Sequence, residues 1–235
     1  MSLPERKRPA HRPSRRKQII DAATTVFSRD GYVEARVEDI ARAAGVAPTA
    51  IYYHFGGKEE LFQAVLTRRL DPMNQERVDL LTRFERDAGS APLPCDRILQ
   101  AMFVPALKLA RDPERGGKNF LRLLGRAYAD PAPFIRKFLA AQYAEMIARF
   151  KAAFARALPD LPKKELSWRL HFIMGALSYT LAGTDALRLI AELAPAETAN
   201  DELLLQRLAP FLLAGLQSPV PDLAEFARAT EHGTC

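Results

Sequence analysis

Within a few residues of one another the chain places Thr49, Tyr52, Tyr53, His54 and Lys58. A hydroxyl, two phenols, an imidazole and an ammonium are the donors that meet phosphate oxygens, and Thr49, flanked by Pro48 and Ala50, is of a size to meet a base edge or a thymine methyl. Catalysis would need other company. The four histidines, His11, His54, His171 and His232, show no metal-ligand spacing, no Gly-x-Ser-x-Gly occurs, and neither Cys95 nor Cys235 has a suggestive neighbour. Gly57-Lys58 is not a phosphate loop, because no glycine stands five residues before Gly57 and Glu59 replaces the required hydroxyl residue. No metal and no cofactor are expected.

Positioning these donors requires short helices. Val37, Ile40, Ala41 and Ala44 fall at helical spacing, and Gly45-Val46 breaks the period. Gly45 is the residue expected just past a helix end, where a left-handed conformation costs it little. Pro48 suits the first position of a second helix, since its missing N–H would be unpaired there. Ile51 and Phe55 read as core, and Tyr52 either packs against the first helix or meets a phosphate. Two short helices at a steep angle, the second rich in small and hydrogen-bonding side chains, describe a DNA-reading helix-turn-helix.

The run IARAAGVAPTAIYYHFGGKEEL resembles the signature of the TetR family of one-component transcriptional regulators, IA-xx-AGV-xxx-x-(L/I)Y-x-HF-xx-K-xx-L. The resemblance covers about the first quarter of the chain. It implies DNA contacts from the tyrosine pair, His54 and Lys58, mainly at phosphates. One departure stands out: the family has threonine or serine capping the first of these helices, whereas Ala35-Arg36 occupy that place here. The cap is weaker, and Arg36 is free to reach a phosphate instead.

Charge is unevenly distributed. Of the net +6, residues 1–17 contribute seven basic side chains against Glu5, which leaves the remainder balanced. A basic arm on a neutral body points to a local polyanion contact. Residues 1–14, with Pro4, Pro9 and Pro13, form either a solvated tail or an arm entering the minor groove. At 235 residues, 48% apolar and 26% charged, the chain is long enough for a sizeable core. Two cysteines make no disulfide framework and read as thiols of a reducing compartment. The N-terminus lacks the apolar run of a signal peptide, and no stretch reaches the roughly 20 residues needed to span a bilayer. A cytoplasmic protein without a membrane partner is expected.

Every longer element reads as helix, so the fold class is all-α. Ser14 caps a first helix to about Arg29, which braces the helix-turn-helix from behind. A fourth helix opens at Lys58 and runs to about Phe84, with a possible kink at Pro72. After a loop at 87–94, further helices are expected at about 95–111, 118–129, 132–157, 163–193, 201–216 and 222–230. The boundaries are thus an arm at 1–14, a DNA-binding domain at 15–60, a ligand-binding and dimerisation domain at 61–218 and a tail at 219–235.

The last two long helices, through LHFIMGALSYTLAG and LLLQRLAPFLLAGL, are apolar around most of their circumference. Such helices must be covered on several sides, either as central core or by a partner. Gly175, Ala176, Ser178, Ala182, Ala214 and Gly215 allow close approach, which predicts a homodimer through a four-helix interface. Phe103, Phe120, Leu124, Tyr128, Phe138, Tyr143, Met146, Phe150 and Phe172 form either ordinary core or the wall of an effector pocket. Polar handles would come from Asn119, Arg122, Arg126, Trp168 and His171. Arg122 and Arg126 share a face, able to hold a carboxylate or to pair with Glu145 or Asp130.

LPKKELSWRLHFIMGALSYTLAGTDALRLIAE, with NFLRLLGRAYAD before it, resembles the sensor domain of a fatty-acid-responsive branch of TetR regulators. That likeness implies an apolar effector, a long-chain fatty acid or acyl-CoA, that releases a repressor dimer from a palindromic double-stranded DNA operator. A repressor of an efflux system responding to drugs or xenobiotics is the rival within the class. An enzyme carrying a DNA-binding head is the rival outside it.

Overall fold

The structure is a computed structural model, and it describes residues 14–112, 117–182 and 201–221. The helices expected at 183–193 and 222–230, nearly all of the arm, and Cys235 lie outside those residues. Among the described residues there is no strand, and the all-α expectation holds. The elements are α1 (Arg15–Glu34), α2 (Val37–Ala44), α3 (Pro48–Phe55), α4 (Lys58–Ala88), α5 (Cys95–Ala110), α6 (Gly117–Ala129), α7 (Pro133–Ala157), α8 (Lys163–Ala182) and α9 (Asp201–Gln217). The chain divides into two compact units, Met1–Arg69 and Leu70–Cys235, so the division falls within α4, later than the expected 60/61 boundary.

In the first unit Ser14 caps α1 by accepting the backbone N–H of Lys17. Ile19, Ile20, Ala23, Val26 and Phe27 form its buried stripe. α1 runs past the expected end at Arg29, although Gly31 interrupts it with φ 79°. Phe27 meets Phe62 edge-on at 5.0 Å between centroids, and Tyr32 meets Phe62 at 5.1 Å. With buried Leu61, Val65 and Leu66, these rings join α1 to α4, while α2 lies on α1 and α3 on α2. Arg68 closes the edge with an ion pair to Asp21 at 2.7 Å.

α4 continues through Pro72 and ends four residues beyond the expected Phe84. Proline removes one backbone donor, but the helix is sustained on both sides by buried positions Leu66, Leu70, Met73 and Leu81.

In the second unit α5, α6 and α7 pack on one another, α8 lies against α6, and α9 lies against α5 and α8. Ile98, Phe103, Phe120, Leu139, Phe150, Phe154 and Ile173 lie in the interior. Cys95 is a free thiol whose burial, with Asp96 beside it, pushes its pKa up. Arg149 of α7 reaches Glu85 of α4 at 2.8 Å.

Arg169 is 5% exposed and fastens the end of α9. Its Nη1 donates to the carbonyls of Leu216 and Ser218 at 2.7 Å, its Nη2 to Pro219, and its Nε to Glu165 at 2.9 Å. Those carbonyls include acceptors that the last helical turn cannot satisfy by itself. Replacing Arg169 by Met should therefore cost on the order of 3 kcal/mol. Denaturant unfolding should show a lowered midpoint at unchanged slope.

Candidate nucleic-acid interface

α2 starts without a side-chain cap: Arg36 occupies the cap position, is exposed, and makes no capping hydrogen bond. Glu38 and Asp39 in the first turn complement the helix dipole in its place. The turn closes at Gly45, at φ 65° and ψ 37°, with Val46 N–H donating to Ala41 at 3.0 Å. α3 then begins at Pro48, as the sequence predicts. Its buried residue is Ile51.

All else on α3 is at least partly open. Tyr53 is 86% exposed and Tyr52 53%, so Tyr52 is not packed away against α1. Pro48 and Thr49 are exposed, and Ala50 and His54 half-buried. Tyr53 and His54 stand edge-to-face at 5.1 Å. Phe55, expected in the core, is only half-buried, and the Arg16 guanidinium covers its ring at 5.0 Å.

Thr49, Tyr53 and His54 line an open concavity of about 960 Å³ together with Val46, Arg15 and Gln18. The last two were not among the expected contacts, which gave α1 only a bracing role. Their signal was present in the basic run ending at Lys17. The concavity joins a guanidinium, an amide, a hydroxyl, a phenol and an imidazole, which suits both phosphate positioning and base-edge reading.

Lys58 is placed differently from its neighbours. Its Nζ donates to the Val33 carbonyl at 2.9 Å and sits 4.7 Å from the centroid of Tyr32. Burial lowers its pKa, with Glu34 opposing. One of its three N–H donors is thus engaged within the head, tying the start of α4 to the end of α1.

The expected effector residues divide. Phe103, Phe120, Leu124, Tyr143 and Met146 are buried; Tyr128 and Phe138 are half-buried. Arg122, Arg126, Asn119, Trp168 and His171 are exposed, as is Phe172 at 62%, so neither Arg126 nor Phe172 joins the buried set. Besides Arg169, the buried cation of this unit among the described residues is instead Arg77, at 3% exposure. The sequence carried its signal, since Arg77 stands four residues from Met73 and four from Leu81 on the buried stripe of α4.

A helix-turn-helix that offers an exposed, donor-rich second helix, within an all-helical chain, defines a DNA-binding regulator. Residues 19–65 match the family described as "Bacterial regulatory proteins, tetR family", and residues 100–215 match "Tetracyclin repressor-like, C-terminal domain". The HTH-type transcriptional repressor Rv1474c of Mycobacterium tuberculosis is 30% identical over 78% of this chain and 91% of its own length. The chain belongs to the TetR family of transcriptional regulators. Two solved structures share its fold: the regulator FadR from Bacillus subtilis in complex with stearoyl-CoA (TM-score 0.56, 18% identity, 85% of this chain and 98% of that one) and a SmeT–triclosan complex (TM-score 0.57, 21% identity, 89% and 100%). No helix among the described residues is long and apolar enough to cross a membrane.

The placement of Lys58 has a measurable consequence. Lys58→Met should lower the stability of the head by about 1 kcal/mol through loss of the carbonyl and ring contacts. Thermal unfolding followed by Tyr fluorescence would show the loss without any DNA present.

Proposed function

We propose that the chain is a transcriptional repressor that binds a palindromic operator as a homodimer and leaves it on binding an apolar small molecule. The outward, donor-bearing face of α3 carries the DNA reading. Thr49, with Pro48 and Ala50, is assigned to base edges; Tyr52, Tyr53, His54 and Arg36 are assigned to phosphates, with the remaining donors of Lys58. The repressor sign follows the relative from Mycobacterium tuberculosis, which bears that name.

A second copy is called for by the body. Trp168, Phe172 and Tyr179 are more than half exposed, and with Gly175 they lie along one face of α8. Ile173 and Leu177 fill the opposite face. On α9, Phe211 is 72% exposed beside exposed Ala214 and Gly215. An apolar face of this kind, built of aromatic knobs and small residues on two adjacent helices, is suited to an isologous four-helix contact. Two heads then read successive major grooves, and their separation governs affinity.

The effector reading is a long-chain fatty acid or acyl-CoA. A stearoyl-CoA complex with this fold and the buried apolar set on α5, α6 and α7 support it. A drug-responsive repressor is the second reading, favoured by the triclosan complex of equal fold likeness. In either case a ligand acts by preferring one arrangement of the sensor helices, and α4, shared by both units, is the element through which head spacing would change.

Three outcomes are expected once an operator has been selected from a random DNA pool. Tyr53→Ala should weaken binding to operator and unrelated DNA alike, whereas Thr49→Ala should erase about 1–3 kcal/mol of discrimination at one base pair. Fluorescence anisotropy across salt concentrations separates the two, and an unchanged Tyr53→Ala would remove the phosphate assignment. Phe172→Glu combined with Phe211→Glu should yield a folded monomer by light scattering, with operator affinity reduced at least to that of a single head.

A further inference from the structure

The interior of the second unit holds a cation that no acid among the described residues neutralises. Arg77 of α4 is 3% exposed and forms no ion pair among the described residues. Its Nε donates to the Met102 carbonyl at 2.9 Å and its Nη1 to Asn74 Oδ1 at 3.1 Å. A guanidinium has five N–H donors, so these two acceptors leave the rest of its fork with only weak contacts to two neutral phenol oxygens. A buried charge held only by neutral acceptors is an unfavourable arrangement for a folded protein by itself.

Two phenols stand beside it. Tyr128 of α6 and Tyr143 of α7 have ring centroids 5.8 Å apart, and the charge of Arg77 acts on both hydroxyls. Both hydroxyl oxygens are buried and make no well-formed hydrogen bond among the described residues; their weaker contacts are with Arg77 and with each other. Burial raises the pKa of both groups, that of Tyr128 well above the ordinary phenol value, so both keep their protons and act as donors. Donors from α4, α6 and α7 thus share one buried place, and among the described residues no anionic acceptor meets them.

We propose that Arg77, Tyr128 and Tyr143 form the head-group site for the free carboxylate of an apolar effector. A carboxylate supplies two oxygens and about four acceptor positions, enough to take a guanidinium fork and two phenols together. One negative charge matches one arginine. The aliphatic chain would lie among Phe103, Leu124 and Met146, buried on α5, α6 and α7. A thioester carbonyl is neutral and offers one oxygen, so it supplies neither the charge nor the second acceptor atom that the arginine and two phenols call for. The site therefore selects the free acid over its thioester. This inference rests on the reading of the body as an effector domain, and it names the head group and the residues that hold it.

The test compares dodecanoate, dodecan-1-ol and lauroyl-CoA on delipidated full-length protein, with affinity by calorimetry and stability by thermal unfolding. Dodecanoate should bind at least about ten-fold more tightly than the other two. Tyr143→Phe removes a hydroxyl that makes no well-formed hydrogen bond among the described residues. It should leave the melting temperature equal or higher, weaken dodecanoate by about five- to ten-fold, and leave dodecan-1-ol unchanged. Arg77→Met should abolish the preference for acid over alcohol; if that variant does not fold, Tyr143→Phe decides the question. Equal binding of acid and alcohol, absence of dodecanoate binding, an unaltered acid affinity in Tyr143→Phe, or tighter binding of lauroyl-CoA would each overturn the site. Operator release is scored separately. Dodecanoate that binds through Arg77 without releasing the operator would overturn the repressor-effector reading and leave the site standing.

Discussion

The edge-to-face contact between Phe27 and Phe62 is the constraint on which the reading head depends. α3 buries Ile51 and leaves nearly every other side chain to solvent, so it cannot hold its own position by packing. Its orientation is passed on by α2, which it packs against and which lies on α1, and α1 is joined to α4 by the Phe27–Tyr32–Phe62 cluster. Lys58 serves the same end from the polar side, spending its charge on the Val33 carbonyl and the Tyr32 ring. A helix that must present its side chains to a groove is thereby kept from collapsing onto its own domain. The cost of exposing Tyr53 is borne by rings that never approach a ligand.

The body obeys an opposite rule. Its helices bury apolar surface on several sides, yet they bury Arg77 and two phenol hydroxyls that make no well-formed hydrogen bond among the described residues. Burial of such groups is unfavourable unless they are satisfied, and a domain selected for stability alone would have replaced them with hydrocarbon. Arg169 shows what a structurally satisfied buried arginine looks like here: four acceptors, one of them a carboxylate, hold it at the end of α9. The contrast between these two arginines separates a residue that completes the fold from one that awaits something.

Much of this was legible in the residues. The turn at Gly45, the proline start of α3, the buried role of Ile51 and the succession of helices all follow from periodicity and backbone preference, which act over a few neighbours. The missing cap at Arg36 was legible for the same reason. The reach of α4 through Pro72 was legible as well, from the apolar positions that continue on both sides of the proline. The half-exposure of Phe55 was not: helical spacing places it on the inner face, but Arg16, far away in sequence, covers its ring instead.

Candidate sites divide along the same boundary. The sequence by itself determined the class of chemistry: donor-rich residues on a short helix after a glycine turn, a neutral body, and no metal-ligand spacing. It also singled out Phe103, Phe120, Tyr143 and Phe150, which are buried on α5, α6 and α7, although Tyr128 and Phe138 of the same set are half-buried. Only the tertiary structure decided which cation belongs with them. Arg122 and Arg126 share a face by spacing, but α6 turns that face to solvent, while Arg77 lies on the buried stripe of α4. Likewise α8 reads as apolar all round, and packing alone selected Ile173 and Leu177 for the interior and left Trp168, Phe172 and Tyr179 outside. Spacing along a chain fixes which residues travel together on one face; which way that face points is set by the neighbours it packs against, and those come from parts of the chain that local periodicity does not reach.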